Sequence, residues 1–141
     1  MKVKDFREMK IKKLMKDRPD YDQYIIEENE GLSTLSEKIR DNPFQMVVVI
    51  DKKKKVKGIV TAWDMADKIS SGIAGKKLDE IKVMDYVNRV IYSISENDTV
   101  DTAIHRMNAI KKNKIIVENE KGEFVGVLHK STIRDKMDEV L

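Results

Sequence analysis

Gly58-Ile59-Val60-Thr61-Ala62-Trp63-Asp64 is the stretch whose reading decides the fold. It closes an apolar run, Val56 to Val60, and passes into helical spacing near Thr61. The same frame returns downstream as Gly126-Val127-Leu128-His129-Lys130-Ser131-Thr132. The apolar positions repeat, but Thr61 becomes His129 and Asp64 becomes Thr132. One unit is written twice, and only the first copy keeps its polar pair.

The offset between Gly58 and Gly126 holds over most of the chain. Tyr24 matches Tyr92, Glu28-Asn29 matches Glu96-Asn97, and Leu32 matches Val100. Val47-Val48-Val49 matches Ile115-Ile116-Val117, and Asp67-Lys68 matches Asp135-Lys136. Before Tyr24 the register slips by one residue.

Each copy reads as β-α-β-β-α. Residues 5–16 are expected to form a short helix, ended by Asp17-Arg18-Pro19-Asp20. Short strands are expected at Tyr24–Ile26 and Ile91–Ile94. Leu32, Leu35 and Ile39 share one helical face, as do Val100, Ala103, Ile104 and Met107. Met46–Ile50 and Ile115–Val117 are β-branched runs, the mark of buried strands. Lysine and glycine turns lead to strands Val56–Val60 and Phe124–Leu128, and each copy ends in a helix, Trp63–Ser70 and Ser131–Met137. Residues 72–80 join the halves, and Ile81–Val87 is a second apolar lead-in segment.

The expected fold is therefore α/β (α+β). Residues 1–75 form a first unit with an N-terminal helix, and residues 76–141 form a second. Each copy is too small to bury its own sheet face. The two are expected to pack about a pseudo-twofold axis, with two clefts between them.

Composition narrows the function classes. The chain has 141 residues, 40% hydrophobic and 38% charged, with a net charge of +3 and no Cys. Disulfides and thiolate chemistry are excluded, and the cytoplasm is the expected location. No apolar run reaches the roughly 18 residues that span a bilayer, so no membrane role is expected. Nucleic-acid binding would rest on Lys10–Lys16 or Lys52–Lys55. The first interleaves Met9, Ile11, Leu14 and Met15 with its lysines, as an amphipathic segment does. The second reads as a solvated hairpin tip, so nucleic acid is not the expected partner.

The repeat resembles the CBS-domain family, named after cystathionine β-synthase, in which two units pair into a Bateman module. The resemblance covers roughly residues 8–139. It rests on the β-α-β-β-α order, the buried strand ending in Asp51, the seven-residue step to Gly58, and the pattern Gly-hydrophobic-x-Ser/Thr-x-x-Asp. Gly58, Ile59, Thr61 and Asp64 complete that pattern. The second copy keeps Gly126 and Val127 but departs at His129 and Thr132.

The resemblance implies a non-catalytic regulatory module that binds AMP, ADP, ATP or S-adenosylmethionine in a cleft between the units. It holds no catalytic residue, metal or catalytic cofactor. A hydroxyl at Thr61, beside free N–H groups at a helix start, can donate to a phosphate. The Asp64 carboxylate can accept from both ribose hydroxyls, and Gly58 lets backbone approach closely. The resemblance further implies a base wall near Asp98, Lys112 and Asn113, with Gln45 on the side of Thr61. It also implies a homodimer through helical faces, where Met65, Met107 and Met137 would sit, and an effector protein not encoded here.

Blander readings stand beside these. Thr61-x-x-Asp64 is also a variant capping box, in which each residue bonds the other's backbone N–H. The second site can be a cleft kept for packing, and the whole chain a structural or interaction pair with empty clefts. His105 reads as an exposed helical residue, and with His129 in another element no zinc spacing exists. Asp17, Asp20 and Asp22 lack the Gly turn and terminal Glu of a calcium loop. Trp63 reads as a core or interface anchor.

Overall fold

The structure, a computed structural model, describes residues 1–16, 22–40, 42, 46–71, 80–89 and 91–140. The element order is α1 (Val3–Arg7), α2 (Ile11–Leu14), β1 (Ile25–Glu27), α3 (Leu32–Arg40), β2 (Met46–Ile50), β3 (Val56–Thr61), α4 (Ala62–Ser71), β4 (Ser93–Ser95), α5 (Val100–Ile110), β5 (Lys114–Glu118), β6 (Phe124–His129) and α6 (Lys130–Val140). Both copies of β-α-β-β-α are present, and the architecture is mixed α+β with two small sheets.

The sheets are built alike. β1 runs parallel to β2, and β2 antiparallel to β3; β4, β5 and β6 repeat the arrangement. The register shifts at the same repeat position in each, Val49/Ile50 and Val117/Glu118. The β-branched run of β2 is buried along its whole length, as its composition requires for a central strand.

The hairpin turns also match. Asp51 Oδ1 accepts the N–H groups of Lys53 at 2.8 Å and Lys55 at 3.0 Å. Asn119 Oδ1 accepts those of Lys121 at 2.9 Å and Glu123 at 3.0 Å. Each turn then needs one residue in the left-handed region, Lys54 at φ 65° and Gly122 at φ 76°.

Two compact units result, but they do not follow the order of the repeats along the chain. One is Asp20–Ile91; the other joins Met1–Pro19 to Tyr92–Leu141. In the first unit, Ile81, Val83 and Tyr86 lie buried among Ile26, Leu35, Ile39, Val47, Val49 and Val60. In the second, the Ile11 and Lys12 N–H groups donate to the Asp98 and Glu96 carbonyls, and Val100 N–H donates to the Met9 carbonyl. The lead-in segment of each repeat is thus hydrogen-bonded to the other repeat.

That pairing explains why one helix over residues 5–16 is not found. Lys10 forms an antiparallel bridge with Thr99, so the chain is drawn out between α1 and α2. The amphipathic reading of the segment holds within the shorter helices. Ile11, Leu14 and Met15 are buried, while Lys10, Lys12, Lys13 and Lys16 are exposed. The expected stop at Pro19 and the junction at 72–79 lie outside the described residues.

Candidate functional site

In the first unit, β3 ends at Thr61 and α4 begins at Ala62, which makes Thr61 the N-cap and Asp64 the third helical residue. Asp64 N–H donates to Thr61 Oγ1 at 3.1 Å, and Thr61 N–H donates to Asp64 Oδ2 at 2.9 Å. The Thr61 hydroxyl also donates to Asp64 Oδ2 at 2.9 Å. This is the reciprocal capping box in full. Both side chains remain half-exposed, and Asp64 Oδ1 takes no part in these bonds.

Gly58 has a structural partner of its own. A Cβ there would stand 2.4 Å from Val87 Cγ2 and 2.5 Å from the Asn88 carbonyl oxygen. The neighbouring Ile59 pairs with Asn88 in both directions, N–H to carbonyl at 3.0 Å and carbonyl from N–H at 2.8 Å. The close approach that Gly58 permits is therefore made by the chain's own lead-in segment, at Val87 and Asn88. Both backbone groups of Ile59 are engaged there, leaving its half-buried side chain.

The remaining expected residues are dispersed. Gln45 lies outside the described residues. Asp98 precedes α5 and Lys112 and Asn113 follow it, so about 16 Å of helix separates them. Asp98 Oδ2 accepts the Ser95 N–H at 3.0 Å and closes the turn before the helix. Lys112 is exposed, and its N–H caps α5 by donating to the Met107 carbonyl at 3.0 Å.

In the second unit, Gly126 and Val127 are buried in β6, and His129 is half-buried at its end. Thr132, at the position of Asp64, is only 7% exposed and has joined the core. The Asn113 carbonyl accepts the Lys130 N–H at 2.9 Å, which brings Asn113 beside His129. Around them opens a cavity of about 500 Å³ lined by Asn113, His129, Lys130, Ser131 and Arg134. Lys130 and Arg134 were not among the expected site residues. The repeat offset could have found them, since they stand where the first copy has Ala62 and Ala66.

Other candidates resolve simply. His105 is exposed; its Nδ1 lies 2.8 Å from the Asp101 carbonyl and 3.6 Å from Asp101 Oδ2. Arg7 Nε donates to Asp101 Oδ1 at 3.0 Å, tying α1 to α5. Trp63 is 80% exposed and so is not a core residue. Met107 is fully buried, which removes it from any dimer face; it shares its side of α5 with the buried Val100 and Ala103. Met137 is exposed, and Met65 packs partly against the first unit's core. Among the described residues, no group of three or more His, Asp or Glu side chains is placed to hold a metal, and no helix is long and apolar enough to cross a membrane.

The doubled sheet-and-helix unit now has a match. The family model for the CBS domain fits residues 11–71 and 83–139. The chain belongs to the CBS-domain family. A CBS domain-containing protein of unknown function from Bacillus anthracis has the same fold at TM-score 0.77 and 20% identity, over 99% of this chain and 100% of that one. CbpB, solved in complex with c-di-AMP, matches at TM-score 0.80 and 20% identity, over 96% and 89% of the two chains. A CBS domain pair/ACT domain protein from Thermotoga maritima matches at TM-score 0.69 and 19% identity, over 94% and 99%. An uncharacterised protein of Methanopyrus kandleri is 24% identical over 91 residues. That stretch is 64% of this chain and 45% of the relative, so the match spans under half of the relative's length. CBS-domain pairs are typically regulatory modules rather than catalysts.

Proposed function

We propose that this CBS pair is a sensor for an adenosine-containing ligand, bound at the start of α4. The carrying observation is the Thr61–Asp64 pair, a hydroxyl and a carboxylate held together at a helix N-terminus and half-exposed. Asp64 Oδ1 is available to accept from a ribose hydroxyl. Thr61 Oγ1 can turn from Asp64 to a phosphate, exchanging one charge-assisted hydrogen bond for another. AMP, ADP, ATP and S-adenosylmethionine carry the matching groups. CbpB, which shares the fold, is seen with c-di-AMP, so a cyclic dinucleotide belongs in the same class. Gly58 and Ile59, on the same strand as Thr61, are the members of the expected set beside the pair.

The module acts without catalysis, in the cytoplasm, by biasing the packing of a homodimer or of an effector protein. Such an output requires that the ligand prefer one arrangement over another. The test is calorimetric titration of the chain with this adenosine panel and c-di-AMP. One member should bind and raise the melting temperature, and Asp64→Ala should abolish that rise. No binding by any member would refute the reading.

A second reading has its own support. The capping box is already satisfied internally, and Gly58 is explained by the Asn88 backbone. On that reading the pair is structural, and Thr61→Ala costs about 1 kcal/mol with no ligand dependence.

A further inference from the structure

The two hairpin turns share a backbone and differ in charge. Asp51-Lys52-Lys53-Lys54-Lys55 and Asn119-Glu120-Lys121-Gly122-Glu123 hold the same repeat positions. Asp51 N–H donates to the Lys55 carbonyl at 3.0 Å, and Lys54 N–H to the Asp51 carbonyl at 3.0 Å. Asn119 and Gly122 repeat these two bonds at 3.0 and 3.1 Å. Asp51 and Asn119 each add one side-chain oxygen that accepts two N–H groups. The first turn closes on these bonds alone, so its four lysines are not needed to form it.

The side chains that follow are used differently. In the second turn, Glu123 Oε1 accepts from Asn119 Nδ2 at 3.0 Å, and Glu120 Oε1 from Asn97 Nδ2 at 3.1 Å. In the first, Lys52, Lys53, Lys54 and Lys55 are all exposed. Among the described residues none of their ammonium groups is in an ion pair or a hydrogen bond. The acid at the base of the turn, Asp51, faces Lys57 instead, at 3.9 Å. Glu27 and Glu28 stand at the level of Ile50, before the turn begins. Lys54 sits at φ 65°, where the matching turn has Gly122 and only glycine is free of Cβ strain. That strain is accepted together with a fourth exposed charge.

The chemistry of the tip selects its partner. A protein interface is anchored by buried aromatic or arginine side chains and is poor in lysine. A lipid surface held firmly needs an apolar anchor beside the charges, and this tip carries four lysines in a row. A nucleic-acid backbone needs only point charges that displace its counterions. The lysines near α2 differ, because they form the wet side of a segment whose other side is buried. We propose that the Lys52–Lys55 turn is a nucleic-acid contact that grips the phosphate backbone without reading sequence. This inference does not rest on ligand binding at Thr61 and Asp64.

The test is fluorescence anisotropy of the full chain on a labelled DNA duplex, from about 50 to 200 mM salt, with no adenosine ligand added. Four phosphate contacts should give a slope of about −3.6 in log affinity against log salt, a loss of about a hundredfold over this range. Lys54→Gly should lower the slope by about one and weaken binding about tenfold, with no fall in melting temperature. Lys52→Glu with Lys55→Glu, the residues of the second turn, should weaken binding at least about a hundredfold. Lys12→Gln with Lys13→Gln should leave it unaltered, and a second duplex of different sequence should bind equally. Absence of binding at the lowest salt, an unchanged slope in Lys54→Gly, or equal weakening in the Lys12 and Lys13 variant would each overturn the proposal. So would binding to phosphatidylserine vesicles or to poly-glutamate as tight as binding to the duplex.

Discussion

Gly58→Ala tests what this glycine is for. The added methyl would meet Val87 Cγ2 at 2.4 Å and the Asn88 carbonyl oxygen at 2.5 Å. The side chain of Val87 can turn away, but the Asn88 carbonyl cannot, because the Ile59–Asn88 hydrogen bonds at 3.0 and 2.8 Å fix it. Relief requires parting the bridge. Two backbone bonds are worth about 1 kcal/mol each, and overpacking adds about 1–3 kcal/mol. The expected destabilisation is about 3–5 kcal/mol, or roughly 10–20 °C in melting temperature for a domain of this size. Urea and thermal unfolding measure it. Adding Val87→Ala should recover only part of it, since the clash with the carbonyl remains. Gly31→Ala is the control: its nearest neighbour, the Ile81 carbonyl, lies at 3.9 Å, so little change is expected. A Gly58→Ala effect under about 1 kcal/mol would refute this reasoning. Unchanged stability without ligand binding would move the reason for Gly58 to the ligand.

Other outcomes follow from the same geometry. Lys54→Gly should stabilise by about 1 kcal/mol in urea unfolding, because the matching turn carries Gly122 and a left-handed side-chain residue is strained. Residues 20–91 should fold alone by circular dichroism and residues 1–75 should not, since the latter piece lacks the buried Ile81, Val83 and Tyr86. Asp51 is held below the usual carboxyl range first by the Lys55 N–H, and Asp101 first by Arg7. Both contributions are fully present above the ordinary carboxyl value of about 4 and are lost as pH falls through the depressed values. Asp51→Asn, which keeps the acceptor as Asn119 does, should flatten the acid limb of the stability–pH curve. Burial raises Glu118, the opposite sense, so its ionised form weighs against folding once pH passes the ordinary value. Glu118→Gln should therefore stabilise at neutral pH and change nothing in strong acid.

Local pattern carried much of this protein. The β-branched run of β2, the one-face spacing of Leu35 and Ile39, and the repeat offset placed the strands and most helices, because each depends on near neighbours along the chain. The Thr61–Asp64 capping box was legible for the same reason: its hydrogen bonds span three residues. The single helix over 5–16 was not, because pairing with Thr99 and Asp98, distant in sequence, draws that segment out. Periodicity could not show that Met107 faces the core, since it marks an apolar face without saying what covers it.

Only tertiary structure decided which lead-in segment bonds to which repeat. The lead-in segments pair with the repeat they do not precede, and Val87 and Asn88 turn Gly58 from an expected ligand neighbour into a packing requirement. It also gathered Lys130, Arg134, His129 and Asn113 around one cavity. Sequence determines the pleats and turns that short-range hydrogen bonds can hold. Where two distant segments meet is set by the apolar surface that each must bury.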